Sequence, residues 1–238
     1  MINIKKHLSP KICLIAAAIL TSCLQPCLAE LDDMAAGGGS SSLSLAQSAN
    51  WQVGELLYSD NFTARKESGR TIHADSNYTK YYKDGKYHIG LFKSGWSSRE
   101  NIEGTDFRDF VLEVEAAQDG GPDDNGYGVI TRVADMGNYS LFMISGDGFY
   151  AYYKKEDNAV VVPVKWTRSD AIKTGNATNI LKVVALGGKY AFYINGIEVA
   201  SYTDSKPVSG NIGVYLESEV EGGAYASFDN LRVWAIKE

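Results

Sequence analysis

The sequence predicts an all-β fold, an antiparallel two-sheet sandwich of the jelly-roll type, and three observations carry that expectation. Apolar residues recur with a period of two along many short segments rich in β-branched and aromatic residues. The connections between these segments are short and built from Gly, Asn and Asp, whereas parallel strands need crossovers of a dozen or more residues. No stretch carries the apolar stripe of an amphipathic helix.

Taken from the N-terminus, residues 1 to 29 read as an export signal. Lys5, Lys6 and Lys11 precede an apolar run from Ile12 to Leu20, which is too short to span a bilayer. The following "LTSC" at 20 to 23 resembles a lipobox, the pattern in which the cysteine thiol receives a diacylglyceryl group; this marks Cys23 for lipidation. The alternative is cleavage after "CLA" at 27 to 29, which releases a soluble exported protein. Either route takes the chain out of the cytoplasm, as a cell-envelope lipoprotein or a secreted protein. Residues 30 to 50, "ELDDMAAGGGSSSLSLAQSAN", are too rich in Gly, Ser and Ala to form a core and read as a flexible tether with a reach on the order of 30 Å.

From Trp51 to Glu238 the composition is uniform, which predicts one domain of 188 residues. A domain of that size buries roughly 70% of its unfolded surface. It needs no staples, and has none from cysteine: Cys13, Cys23 and Cys27 all precede it. The strand patterns are residues 110–116, 127–133, 139–145, 149–154, 180–186, 190–194, 197–202, 212–218 and 226–234. "YINGIEV" places Asn195 and Gly196 between two of them, the signature of a two-residue type I′ hairpin, and "SGDGF" at 145 to 149 joins two others.

The runs "NGYGVITRVADMGNYSLFMISGDGFYAYYKK", "VKWTRSDAIKTGNATNILKVVALGGKYAFYINGIEVASYTD", "SGNIGVY" and "FDNLRVW" resemble bacterial domains of the concanavalin A-like lectin/glucanase superfamily, close to laminin G-like jelly rolls. The resemblance covers residues 51 to 238. It implies a jelly roll and leaves the ligand open, because the superfamily includes lectins, glycosidases and adhesion modules.

The superfamily's family-16 glycoside hydrolases carry a Glu-x-Asp-x-Glu strand motif, which this chain lacks. Its nearest stretch, "LEVEA", offers Glu113 and Glu115, two apart on one strand face and so roughly 6 to 7 Å from each other. The third acid is missing, and both are expected on a solvated strand face. Outside the signal only His73 and His88 remain, with no nucleophile elbow and no cysteine nucleophile.

Metal chemistry has two weak candidates. "QDGGPDDNGYG" gathers Asp119, Asp123, Asp124 and Asn125 in one loop of hard oxygen ligands, but Ile130 stands where an EF-hand needs its closing Glu. Asp60 and Asp229, near the two ends of the domain, come together if its terminal strands are neighbours. No cofactor is expected, structural calcium being the one ion these loops could take.

Six aromatic rings fall within residues 138 to 155. In "FYAYYK", Phe149 is expected in the core, as is Phe142 in the preceding strand. Tyr150 and Tyr152, aligned with a Lys154 expected to reach water, are expected to form an exposed platform. Sugar rings present C–H faces to aromatic rings and hydroxyls to polar groups, and Tyr offers both contacts. Arg132, Asp135, Asn138 and Tyr139 at a strand end, with Trp166 and Arg168 in "VKWTRS", complete the candidate ligand-binding set.

Residues beyond the signal keep all 29 acidic side chains and lose three of 23 basic ones, a formal charge of −9. Nucleic acid is therefore not an expected partner, and membrane contact is expected only through a lipid anchor. The leading expectation is a non-catalytic carbohydrate-binding or adhesion domain displayed outside the cytoplasm, with a glycan or polysaccharide as partner. The alternatives are a structural module docking an envelope protein, and an atypical glycoside hydrolase using Glu113, Glu115, Glu217 or Glu219.

Overall fold

The computed structural model describes residues 51–63, 72–206, 208–219 and 223–237. Cys23, the export signal and the tether lie outside the described residues. The described chain forms fifteen strands, and every strand pairing is antiparallel.

They run in chain order as β1 (Gln52–Asp60), β2 (His73–Ala74), β3 (Tyr78–Lys83), β4 (Lys86–Leu91), β5 (Ser97–Asn101), β6 (Phe110–Gly120), β7 (Gly126–Val133) and β8 (Tyr139–Ser145). There follow β9 (Phe149–Glu156), β10 (Ala159–Arg168), β11 (Asn179–Leu186), β12 (Lys189–Ile194), β13 (Ile197–Thr203), β14 (Asn211–Glu217) and β15 (Ala224–Lys237). The nine segments with a two-residue period are all strands; charged residues interrupt that period in others, such as "YTKYYK" of β3.

One sheet has nine strands in the order β13-β12-β11-β6-β15-β4-β3-β2, with β1 also paired to β15. The last strand is long enough to serve two partners along one edge, its first half pairing β4 and its second half β1, while β6 pairs along the other edge. The other sheet has six strands in the order β10-β9-β8-β7-β14-β5. The chain crosses from one sheet to the other between β4 and β5, β5 and β6, β6 and β7, β10 and β11, β13 and β14, and β14 and β15, which makes the jelly-roll sandwich.

The core lies between the sheets. Leu112, Val114, Leu181, Val183, Phe192, Phe228 and Val233 face it from the nine-stranded sheet; Tyr127, Val129, Phe142, Ile144, Val214 and Leu216 face it from the six-stranded one. The hairpin between β12 and β13 has positive φ at both Asn195 (51°) and Gly196 (83°), as its two-residue turn requires. Asn195 also holds the neighbouring loop, with Nδ2 donating to Ala171 O at 2.8 Å and to Asn179 Oδ1 at 2.7 Å.

Strand β9 is turned over relative to the sequence expectation. Tyr150 and Tyr152 are not an exposed platform: they are 6% and 1% exposed and point into the core. Tyr152 packs against Phe192 at 4.5 Å and Tyr202 at 5.5 Å between ring centroids, and Tyr150 donates from its hydroxyl to Val199 O. Phe149, expected in the core, is half-buried on the opposite face. Lys154 explains the inversion. It does not reach water but is 8% exposed, with Nζ 2.7 Å from the Asp204 carboxylate. A lysine goes inside only when paired, and its partner is fifty residues away.

Arg132 likewise leaves the site expected for it. Between Ile130 and Val133, β7 spends one more residue than β14 does between Gly213 and Asn211. Arg132 has φ of 51°, so the bulge swings its side chain inward. The guanidinium is 1% exposed, donates to Arg108 O at 2.7 Å and lies 4.6 Å from the Tyr190 ring centre.

Candidate functional site

The face of the six-stranded sheet turned away from the core is built by strand alternation. Tyr127, Val129, Phe142, Ile144, Tyr152, Val214 and Leu216 point inward, so the residues between them point out. These form a second apolar cluster of Ile130, Val133, Leu141, Met143 and Tyr215, with Tyr139, Tyr153 and Trp166 packed against it. Met143 and Ile130 are fully buried although they lie on an outer face, because the larger rings lie across them.

Registers fix the layout. One row crosses the sheet as Met143, Gly128, Tyr215 and Arg99, on β8, β7, β14 and β5. The next row is Tyr153, Leu141, Ile130, Gly213 and Asn101. Glycines clear the floor under the polar groups. At Gly126 a Cβ would come within 2.7 Å of Glu217 Oε1, so only glycine lets this carboxylate lie against β7.

Glu217 is the polar centre. Tyr215 donates from its hydroxyl to Glu217 Oε2 at 3.2 Å. Burial, then the Glu217 charge, pushes the Tyr215 phenol well above its ordinary range. Burial does the same at Tyr153, reinforced by Glu217 and Glu219. The Tyr139 phenol is also raised, by burial first and Glu217 in addition, against an opposing effect of Arg99. The Glu217 charge thus bears on three phenols, of which Tyr215 hydrogen-bonds it, and all three keep their protons at neutral pH. Such a set donates from the phenols and accepts at the carboxylate, over rings that offer flat apolar faces.

Trp166 on β10 meets Tyr153 edge-on, with centroids 6.2 Å apart and planes at 87°. Arg168, two residues further on, is exposed opposite Phe149. On the other flank, the Arg99 guanidinium lies 5.6 Å from the centre of the Tyr139 ring, and the Lys155 ammonium lies 5.7 Å from it.

Of the residues expected from sequence to bind ligand, Tyr139 and Trp166 lie on this face. Asn138 has a structural role: it donates to Asp135 and accepts from the Asp157 amide, tying two loops together. Glu217, considered only as a catalytic acid, stands at the centre. Tyr153, Tyr215, Arg99 and Lys155 were not singled out. The pair Tyr215 and Glu217, two apart in "GVYLES", is the signal that could have marked the face.

The other expected sites are dispersed. Glu113 and Glu115 lie on the outer face of the nine-stranded sheet, where Glu113 bridges Lys182 at 2.9 Å and Glu115 accepts from Asn230 Nδ2 at 3.1 Å. A shallow surface hollow there is lined by Lys86, Glu115, Ser227 and Asp229 among others and encloses no room for a small-molecule ligand.

Asp119 belongs to that face too. It bonds His88 Nδ1 and Ser227 Oγ, both at 2.8 Å, and so is separated from its expected partners. Asp123 is exposed and Asp124 half-buried, while Asn125 caps the Glu219 amide. β1 and β15 do pair, as expected of the terminal strands, but Asp60 is occupied by the Phe62 amide and the Tyr58 hydroxyl, and Asp229 by the Asn230 amide. Among the described residues, no group of three or more His, Cys, Asp or Glu side chains could hold a metal ion.

Two antiparallel sheets in this order make a jelly-roll sandwich, and solved structures share that fold. The chain is similar to a carbohydrate-binding module, CBM66, from Bacillus subtilis at 19% identity, covering 71% of this chain and 97% of that one with a TM-score of 0.55. It is similar to a protein of unknown function with a galectin-like fold, also from Bacillus subtilis, at 11% identity over 78% and 98% of the two chains, with a TM-score of 0.58. The Bacillus licheniformis beta-glucanase matches at 13% identity over 77% and 99%, with a TM-score of 0.56. No family model and no curated protein matches the chain.

Proposed function

We propose that this chain is a non-catalytic carbohydrate-binding domain held outside the cytoplasm, by a lipid on Cys23 or as a secreted protein, and that it takes a glycan on the outer face of its six-stranded sheet. The observation that carries the reading is the cluster of Tyr139, Tyr153, Tyr215 and Trp166 on this face, with Tyr215 donating to Glu217 Oε2. Flat rings stack on sugar C–H faces, and neutral phenols beside a carboxylate offer both senses of hydrogen bond to sugar hydroxyls. The open, shallow face suits a chain laid across it. Fold neighbours that include a carbohydrate-binding module support the reading. Hydrolysis through Glu113 and Glu115 is disfavoured because both are committed to partners on the nine-stranded sheet, away from this face.

The test is retention of the purified chain by a panel of soluble and insoluble polysaccharides, repeated with Tyr153→Ala, Trp166→Ala and Glu217→Gln. Binding lost in these variants while they remain folded is the expected result. Sugar release that disappears in Glu217→Gln would overturn the non-catalytic part. Absence of binding to every glycan would shift the face to an envelope protein as its partner.

A further inference from the structure

We infer that the glycan bound on this face carries an anionic group, a carboxylate, sulfate or phosphate, seated between Arg99 and Lys155 at the Tyr139 end of the site; this rests on the carbohydrate-binding reading above.

Arg99 comes from β5 and Lys155 from β9, strands separated in the sheet by three others, yet both cations approach the same ring at 5.6 and 5.7 Å. Among the described residues neither forms an ion pair. Their direct hydrogen-bond partners both belong to Met136: Arg99 Nη2 contacts the thioether sulfur, and Lys155 Nζ donates to the backbone carbonyl at 3.0 Å. A thioether is a weak acceptor, and a guanidinium carries five N–H donors arranged to grip a planar anion with two parallel bonds. Among the described residues the other donors of Arg99 make no hydrogen bond.

The neighbouring lysine shows how differently this chain treats a cation meant for structure. Lys154 is buried against Asp204 at 2.7 Å and Glu156 at 3.3 Å. Asp135 is the acid that senses Arg99, but its carboxylate is spent on the Gly137 amide and Asn138. Each cation thus reaches the Tyr139 ring, from strands on either side of β8, and neither is ion-paired among the described residues, while the Glu217 charge acts on the same ring; an anionic ligand at this end would supply the direct counter-charge. Glu217 and the phenols beside it are acceptor and donor groups of the kind that meet sugar hydroxyls. A sugar acid presents both features, hydroxyls around the ring and an anion at one edge. The chain as a whole is acidic, at a formal −6, so attraction of a polyanion has to arise locally.

The experiment pairs charged and neutralised forms of the same glycans. Polygalacturonate, alginate and hyaluronan are compared with their carboxyl-reduced forms, and dextran sulfate with dextran, by affinity electrophoresis and calorimetry on the full chain. Neutral polymers are run alongside. The expected result is binding of at least one charged form that weakens roughly ten- to hundredfold on neutralisation, the range of a lost charge-assisted contact. Arg99→Met and Lys155→Met should each reproduce that loss and flatten the salt dependence. Lys182→Met, on the opposite sheet, should change nothing. Whether the carboxylated or the sulfated arm responds identifies the anion.

Equal binding of charged and neutralised forms, or unchanged binding in both site variants, would overturn the anionic preference and leave the carbohydrate reading standing. Binding to no glycan at all, with the circular dichroism of the folded chain intact, would overturn both.

Discussion

Tyr152 and Tyr153 are adjacent in sequence and face opposite sides of one sheet, so their removal should produce opposite phenotypes. Tyr152 is 1% exposed and touches the rings of Tyr190, Phe192 and Tyr202 at 5.6, 4.5 and 5.5 Å. Truncating a buried aromatic to alanine costs about 3 to 5 kcal/mol. For a domain of this size each kcal/mol lowers Tm by about 2 to 4 °C, so Tyr152→Ala should lose roughly 6 to 20 °C. Tyr152→Phe keeps the ring and loses only the hydroxyl bond to Ser140 Oγ, seen at 3.2 Å, for about 1 kcal/mol. Tyr153 is half-buried on the outer face against Trp166. Tyr153→Ala should cost about 1 kcal/mol in stability, but weaken glycan binding roughly thirtyfold, the equivalent of an aromatic anchor worth about 2 kcal/mol. Urea denaturation and affinity electrophoresis on the same preparations separate the two effects. A Tyr152→Ala chain that stays stable yet fails to bind, or a Tyr153→Ala chain that binds normally, would refute the assignment of faces.

Three further outcomes follow from contacts elsewhere. Lys154→Met leaves the 3% exposed Asp204 side chain without its cation and should destabilise by about 3 to 5 kcal/mol, whereas the double variant Lys154→Met, Asp204→Leu should recover much of that loss in urea titrations. Burial pushes the Asp119 carboxyl up, but hydrogen bonds from His88 and Ser227 and the nearby His88 and Lys86 charges outweigh it and hold it below 3.8. Its contribution to stability is therefore complete above pH 3.8 and fades as the pH falls from there through the lower folded value, so Asp119→Asn should be less stable at neutral pH and converge with the parent chain in acid. Gly196→Ala forces an alanine to φ of 83° in the β12–β13 turn and should cost about 1 to 2 kcal/mol by thermal denaturation, without touching the outer face of the other sheet.

The strand order and the outer face were unequally legible beforehand. Residues such as Val111, Leu112 and Val114 in β6, or Ile212, Val214 and Leu216 in β14, announce strands because burial demands apolar side chains at a fixed period. In β9 the same period is present on both faces, since Tyr150 and Tyr152 alternate with Ala151 and Tyr153. Choosing the inner face then rested on where Lys154 would go, and pairing with Asp204 reversed the choice. At β7 the bulge reversed Arg132 in the same manner: one extra residue exchanges inside for outside in everything that follows. Tyr139 could be named because it stands at a strand end beside a polar loop, and Trp166 because it pairs with Arg168 in "VKWTRS". Arg99 could not, because β5 reads "SSREN", with no apolar alternation to place it.

By itself, then, the sequence determined the all-β class, the β12–β13 hairpin at Asn195 and Gly196, and the lack of a disulfide in the body of the domain. Those are local properties, dictated by side-chain period, by the φ that glycine and asparagine tolerate, and by a count of cysteines. Only the tertiary structure decided which tyrosines meet the core and which meet solvent, and that Glu217, Arg99 and Tyr139 share one face. Those facts depend on pairings between residues dozens of positions apart. Where both faces of a strand are apolar, local chemistry carries no sign, and a distant partner such as Asp204 supplies it.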